Sequence, residues 1–204
     1  MGRNKDDSRW EEMYQAHDVE TMPWYLPGLD PDFEEALENH SIGPGKALDL
    51  CTGPATQAMA LAELGFDVFA TDISETAVRL AAQKAKLKGL EISFRQADIL
   101  RDDLGGEFDL LLDRGCFHVF EPGQRGMYVD AVDQLLRPGG YLLLKCFSHR
   151  EKRREGPYRF TPEELGGYFS GVLKVLSIRD AVFKGTLEHY PKALFCVMRK
   201  PGRQ

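Results

Sequence analysis

The sequence predicts an α/β fold: a doubly wound, mostly parallel sheet with helices on both faces. Three observations predict it. Short apolar runs alternate with segments of helical period across the middle of the chain, which is the pattern of βαβ units. The first run ends in Asp49 and feeds a glycine-bearing turn from Cys51 to Ala55; the next run, Val68 onward, ends in Asp72. These acids lie about twenty residues apart, at the carboxyl ends of adjacent strands, where such a sheet binds a nucleoside.

Each element follows in order. Residues 7–17 read as a helix, followed by a proline-rich passage from Pro23 to Gly28. Asp30 and Pro31 supply a cap and a first turn for a short helix ending near Asn39, because a proline lacks only an N–H that the first turn leaves unpaired. A strand over 46–50 leads to a helix over 56–64, closed by Gly65. A strand over 67–72 leads to a helix over 75–87, capped by the Ser74 hydroxyl. Strands over 91–96 and 107–112 come next, then a helix over 123–136. Pro138, Gly139 and Gly140 turn the chain into a strand over 141–147. Thr161, Pro162 and Glu164 form a capping box for another helix. Two last strands, near 172–180 and 193–199, have a short link and so form an antiparallel hairpin at the sheet edge. No repeat or linker interrupts the pattern, so residues 1–204 read as a single domain with 1–40 as a helical lid.

Composition narrows the function. The chain has 204 residues, 43% of them hydrophobic, and a formal net charge of -6. A generic nucleic-acid binder would be basic, so no nucleic-acid partner is expected. No run approaches the eighteen or so apolar residues of a membrane helix, so no membrane partner is expected either. The N-terminus shows no apolar stretch of signal-peptide length. Cys51, Cys116, Cys146 and Cys196 form no C-x-x-C pair and no metal-ligand spacing, so no metal is expected. Cys146 and Cys196 lie in apolar runs like small core residues, and this usage fits a reducing, cytoplasmic location.

The turn after the first strand selects the ligand. A dinucleotide requires G-x-G-x-x-G so that a pyrophosphate can approach the backbone. Here Gly53 is the one glycine between Cys51 and Thr56. S-adenosylmethionine carries no phosphate and needs no others. Asp49 then faces the amino group of its methionine part, or caps the following helix. Asp72 accepts from both ribose hydroxyls, since Ser74 fills the capping role better. Asp98 meets the adenine amino group, with Ile99 packing on the ring. Asp113, Arg114 and Gly115 leave their strand over the expected methyl group. Arg114 holds a carboxylate or an anionic substrate, or pairs with Asp113 to hold the turn. His118 is a base near neutral pH, or a half-buried ring packed on Phe117 and Phe120. Trp10, Tyr14, Trp24 and Tyr25 form a water-excluding lid or a docked N-terminal helix. In the loop after strand five, Glu151 to Glu155 are a solvated charge run, and Gly156, Pro157 and Tyr158 are site candidates.

With these residues in place the chain resembles the class I S-adenosylmethionine-dependent methyltransferases over nearly its whole length. Leu48 to Gly53 resembles their first motif, Thr71, Asp72, Ile73 and Ser74 the ribose motif, and Gln96, Ala97 and Asp98 the adenine motif. Leu136 to Gly140 is similar to their turn before strand five. Cys51 and Ala55 depart, standing where the family usually carries glycine. The resemblance implies a seven-stranded sheet of order 3-2-1-4-5-7-6 with the last strand antiparallel. It implies S-adenosyl-L-methionine as the cofactor, bound by Trp10, Asp49, Cys51, Gly53, Asp72, Ile73, Asp98, Ile99 and Asp113.

Within that class the nearest likeness is to the thiopurine and thiol methyltransferases. It rests on Asp113-Arg114-Gly115, the N-terminal Trp10 to Tyr14, and Gly156-Pro157-Tyr158. The implied activity is methyl transfer to a small soft nucleophile, a thiol first, with Arg114, Tyr14 and His118 at the reacting end. A thiol is a few per cent thiolate at pH 7 and needs little help from a base. The alternatives are O- or N-methylation of a small metabolite, or a non-catalytic S-adenosylmethionine-binding module. The expected partner is a small-molecule methyl acceptor, with the chain acting as a monomer.

Overall fold

Four apolar runs set the centre of the sheet. In this computed structural model, which describes residues 5–153 and 155–202, β1 (Lys46–Leu50) pairs in parallel with β2 (Asp67–Asp72) and β4 (Phe108–Arg114). Strand β3 (Ser93–Gln96) lies outside β2, and β5 (Leu136–Ser148) lies beyond β4. Side chains alternate between two cores, as the pleat requires. Along β4, Leu110 and Leu112 join one core and Leu111 the other. The first core takes in α2 (Pro31–Asn39), α3 (Thr56–Glu63) and α4 (Glu75–Leu87); the second takes in α5 (Arg125–Leu135) and α6 (Pro162–Phe169). With both faces covered, the central strands are continuously apolar rather than alternating. No described helix is long and apolar enough to cross a membrane.

The strand order is β3-β2-β1-β4-β5-β8-β7, with a short β6 (Arg159–Phe160) pairing β5 off that path. Setting β6 aside leaves the expected order, but the sheet has eight strands, not seven. Strand β8 (Lys192–Arg199) is antiparallel to both β5 and β7 (Lys174–Val182). Three local features differ from expectation. Strand β3 begins at Ser93. Strand β5 begins at Leu136, before the Pro138–Gly140 segment, and its register with β4 shifts between Phe108 and Leu110. Gly140 sits so close to the Phe108 carbonyl that a Cβ there would lie 3.0 Å from it, and the segment is an irregularity within a continuous strand. The hairpin link is the long connection 183–191, and Phe183 at its start is buried.

The N-terminal helix α1 (Lys5–Ala16) docks on α4. Trp10 and Trp24 meet edge to face, with centroids 5.9 Å apart. Glu11 accepts from the Ser74 and Thr76 hydroxyls (both 2.6 Å) and from the Thr76 amide (3.1 Å). Burial pushes the Glu11 carboxyl up, but these bonds outweigh it and hold the group at about 2.

Candidate active site

Strands β1, β2 and β4 deliver Asp49, Asp72 and Asp113 to one edge, with Leu50 opposite Asp113 in register. In the turn after β1, Cys51, Gly53 and Ala55 all take the left-handed backbone, with φ of 52°, 50° and 55°. The two departures from glycine therefore adopt the conformation that glycine would supply, at about 1–2 kcal/mol each. Gly53 is needed for space as well: a Cβ there would lie 2.5 Å from the Tyr14 hydroxyl oxygen. The Trp24 Nε1 lies 3.9 Å from the same point, so Tyr14 and Trp24 close over the turn.

Of the two roles weighed for Asp49, the capping role is the one its bonds show. The residue is buried, it accepts a 2.5 Å bond from the Thr52 hydroxyl, and it accepts from the Ala58 amide in the first turn of α3. The N-cap residue Ala55 offers no side-chain bond, so Asp49 caps the helix from the strand. Burial, reinforced by Asp113 and Asp72, raises its carboxyl to about 7. Asp72 accepts from the Gly53 and Ser74 amides, both at 2.9 Å, and burial raises it to about 6 in spite of them. The capping of α4 falls to Ser74, whose hydroxyl accepts from the Ala77 amide. Asp72 also accepts from the Ile73 amide; a carboxylate has about four acceptor sites, so about one remains on Asp72 for a hydroxyl.

An open cavity of about 440 Å³ lies beside the ends of β2 and β3. Ser8, Glu11 and Glu12 of α1 form one wall; Ile73, Gln96, Ala97 and Asp98 form the other. The Asp98 carboxylate also accepts from the Leu100 amide (2.9 Å) and faces Arg101 at 3.3 Å. Ile99, expected on the adenine ring, is a correction: it is buried in the core and does not line this cavity.

The turn after β4 differs most from expectation. Asp113 is fully buried, and its two oxygens accept from the Gly115, Cys116 and Phe117 amides and the Tyr128 hydroxyl. It holds its own turn and cannot touch a ligand, which corrects its placement among the cofactor-binding residues. Arg114 does not pair with Asp113. Its Nε binds Asp30 at 2.8 Å, and its two terminal nitrogens bind the Trp24 carbonyl at 2.9 Å and the Lys184 carbonyl at 2.5 Å. The guanidinium is thus a clamp between the N-terminal segment and the β7–β8 connection, which corrects its reading as an anion anchor.

His118 is also corrected. Its ring is buried against Phe147 and Phe183, at 4.8 and 5.5 Å, rather than on Phe117 and Phe120. Nδ1 accepts from the Phe147 amide at 3.0 Å. Burial drops the imidazole to about 3, so it is neutral and is not a base at neutral pH. Tyr14 is buried and its phenol is pushed well above 10, first by burial and then by Asp72. The Tyr158 ring lies 4.7 Å from the Arg125 guanidinium, and its hydroxyl meets Glu121 at 2.5 Å.

Sequence reasoning missed Asp30 and Lys145 as a pair. Lys145 on β5 is fully buried, with Nζ 2.6 Å from Asp30 and 2.5 Å from Asp32. A lysine inside the apolar run Leu142–Phe147 was the available signal, since a buried ammonium requires a partner. The cysteine reading also needs correction. Cys51 and Cys116 form a disulfide with Cα atoms 5.6 Å apart, although 65 residues separate them in sequence. Pairing of β1 with β4 brings the two turns together, which spacing alone does not reveal.

Known proteins are similar to this chain in sequence and in fold. The methyltransferase domain family matches residues 47–140. A probable thiol methyltransferase 2 of Arabidopsis thaliana is 30% identical over 157 residues, 76% of this chain and 68% of that protein. A solved structure concerned with conversion of a disulfide bond into a thioacetal group during echinomycin biosynthesis is similar at TM-score 0.82 and 25% identity, covering 97% of this chain and 94% of that one. A Burkholderia thailandensis 1,6-didemethyltoxoflavin-N1-methyltransferase, solved with S-adenosylhomocysteine bound, shares the fold at TM-score 0.76 and 22% identity, covering 96% and 87%.

Proposed function

For a chain that belongs to the class I S-adenosylmethionine-dependent methyltransferases, we propose an acceptor that is a small soft nucleophile, a thiol first. S-adenosylmethionine supplies a methyl group already activated by the sulfonium. The chain's task is to bind, orient and dry the reacting pair. In this reading residues 1–204 act as one domain, and residues 1–40 close as its lid. Asp72 takes a ribose hydroxyl, the cavity between Ile73, Gln96 and Asp98 takes the adenine, and Asp49 faces the ammonium of the methionine part.

One observation carries the choice of acceptor. The two side chains best placed to serve as bases are unsuited to it: His118 is neutral and bonded to the Phe147 amide, and the Tyr14 phenol sits well above 10. Phenols and amines that need deprotonation gain little from such a site, whereas a thiol ionises by itself near neutral pH. The Arabidopsis thaliana relative, a probable thiol methyltransferase, supports the same choice. The test is a panel of thiols, selenite, phenols and amines. Thiols or chalcogenides should turn over fastest, with rates rising toward each acceptor's own pKa. Phenols or amines turning over far faster than every thiol would replace this reading with O- or N-methylation.

A further inference from the structure

Beyond methyl transfer, and whatever the acceptor, we propose that Cys51 and Cys116 are a reversible dithiol–disulfide gate on the cofactor crevice. The disulfide closes the crevice and the dithiol opens it. The position carries the argument. In the order β3-β2-β1-β4-β5, the chain winds outward from β1 in one direction and from β4 in the other. Ligands of such sheets bind outside the carboxyl ends of the strands at that switch point. Cys51 is the first residue after β1, and Cys116 closely follows β4. Their bond therefore joins the two turns that flank that switch point.

The two sulfurs are also divided as a gate requires. Cys51 is exposed, at a left-handed position where a side chain is unusual, so a small disulfide reaches it first. Cys116 is buried and adjoins it, which suits a resolving thiol. Cys146 and Cys196 are buried elsewhere, and burial raises both thiols, Cys196 to about 12, so neither competes. The oxidant is a low-molecular-weight disulfide. The Cys51 thiolate attacks one of its sulfurs, forming a mixed disulfide and releasing one thiolate. The Cys116 thiolate then attacks the Cys51 sulfur and releases the second. Two protein thiols are oxidised, one small disulfide is reduced to two thiols, and the two protons pass to the thiols released.

The experiment uses the full chain, equilibrated with dithiothreitol or with oxidised glutathione. Alkylation and mass spectrometry count free thiols: four of four cysteines in the first case and two in the second. Calorimetric titration with S-adenosylhomocysteine should show about tenfold or more tighter binding to the reduced chain, because the ligand distinguishes the two states. By reciprocity, saturating ligand should raise the midpoint potential of the pair by about 30 mV for each tenfold. Cys51→Ser, which removes the exposed thiol that would otherwise hold a glutathione mixed disulfide, should bind equally in both buffers; should it fail to fold, Cys51→Ala serves the same comparison. Equal affinity in the two states of the wild type, tighter binding when oxidised, or no disulfide formed in oxidised glutathione would overturn the gate. Absence of binding in both states would overturn the cofactor placement itself, and the gate with it.

Discussion

Replacing Asp30 by Asn tests whether a buried charge cluster holds the lid to the sheet. Asp30 is fully buried, 2.6 Å from Lys145 Nζ and 2.8 Å from Arg114 Nε. Lys145 and Arg114 together hold it below its ordinary value of 3.8, against the upward push of burial. Removing one partner of a buried pair costs about 3–5 kcal/mol, because the remaining charge stays desolvated. Here Lys145 keeps Asp32 at 2.5 Å, and Arg114 keeps two carbonyls, so the loss should sit near the lower end, about 3 kcal/mol. Asn is the right probe because its amide oxygen still accepts the Asp32 amide at 3.1 Å and preserves the cap of α2. With a urea m-value of about 2 kcal/mol per molar, the midpoint should fall by about 1.5 M at neutral pH. The sign with pH follows from the lowered pKa. The contribution is present above the ordinary value of 3.8 and is lost as pH falls through the depressed one, so the two proteins should converge in acid. Asp30→Asn combined with Lys145→Met should cost less than the two changes summed. A loss under about 1 kcal/mol, or simple additivity, would refute the idea that this cluster is the latch.

Three further outcomes are expected. Asp49 titrates at about 7 in the folded chain, so its stabilising contribution is present below its ordinary 3.8 and lost as pH rises through 7. A cationic ammonium should pull that proton off, so calorimetry should find proton release and cofactor affinity rising with pH up to about neutrality, and Asp49→Asn should flatten that dependence. Carbon-13 NMR of His118 should show no titration between about pH 5 and 8, since burial holds the ring near 3; a midpoint near its ordinary 6.5 would restore it as a base. Gly53→Ala should weaken cofactor binding and lower stability by about 1–2 kcal/mol, from its φ of 50° and the contact with the Tyr14 hydroxyl. Adding Tyr14→Phe should recover part of the affinity, because the next ring atom lies 3.6 Å away; no recovery in thermal melts and titrations would mean the hydroxyl is not the obstacle.

Local chemistry was legible wherever a residue acts on its own neighbours. Ser74 caps α4, Asp30 and Pro31 open α2, and Thr161 with Glu164 forms the capping box of α6. The apolar runs of β1, β2 and β4 ended where expected or nearly so, since burial on both faces leaves little freedom in composition. The Pro138–Gly140 segment looked like a turn because proline and glycine punctuate turns. In the structure the close approach of two strands requires the glycine, and the chain stays in the sheet. The β7–β8 connection, whose Lys184 carbonyl Arg114 grips, carries no periodic pattern by which its packing could be read.

By itself the sequence determined the sheet, its order by resemblance, and the row of acids at its carboxyl edge, because strand periodicity and strand ends are local properties. Tertiary structure decided what those acids and their neighbours do. Asp113 and Arg114 adjoin in sequence yet serve different structures: one holds its own turn, and the other reaches across to Asp30, Trp24 and Lys184. His118 is a base or a buried ring according to its burial, and burial is a property of what packs over it. Cys51 and Cys116 meet only because β1 and β4 are neighbours in the sheet. Hydrogen-bond partners, desolvation and disulfide geometry all depend on distances between residues far apart in the chain, and only the folded structure sets those distances.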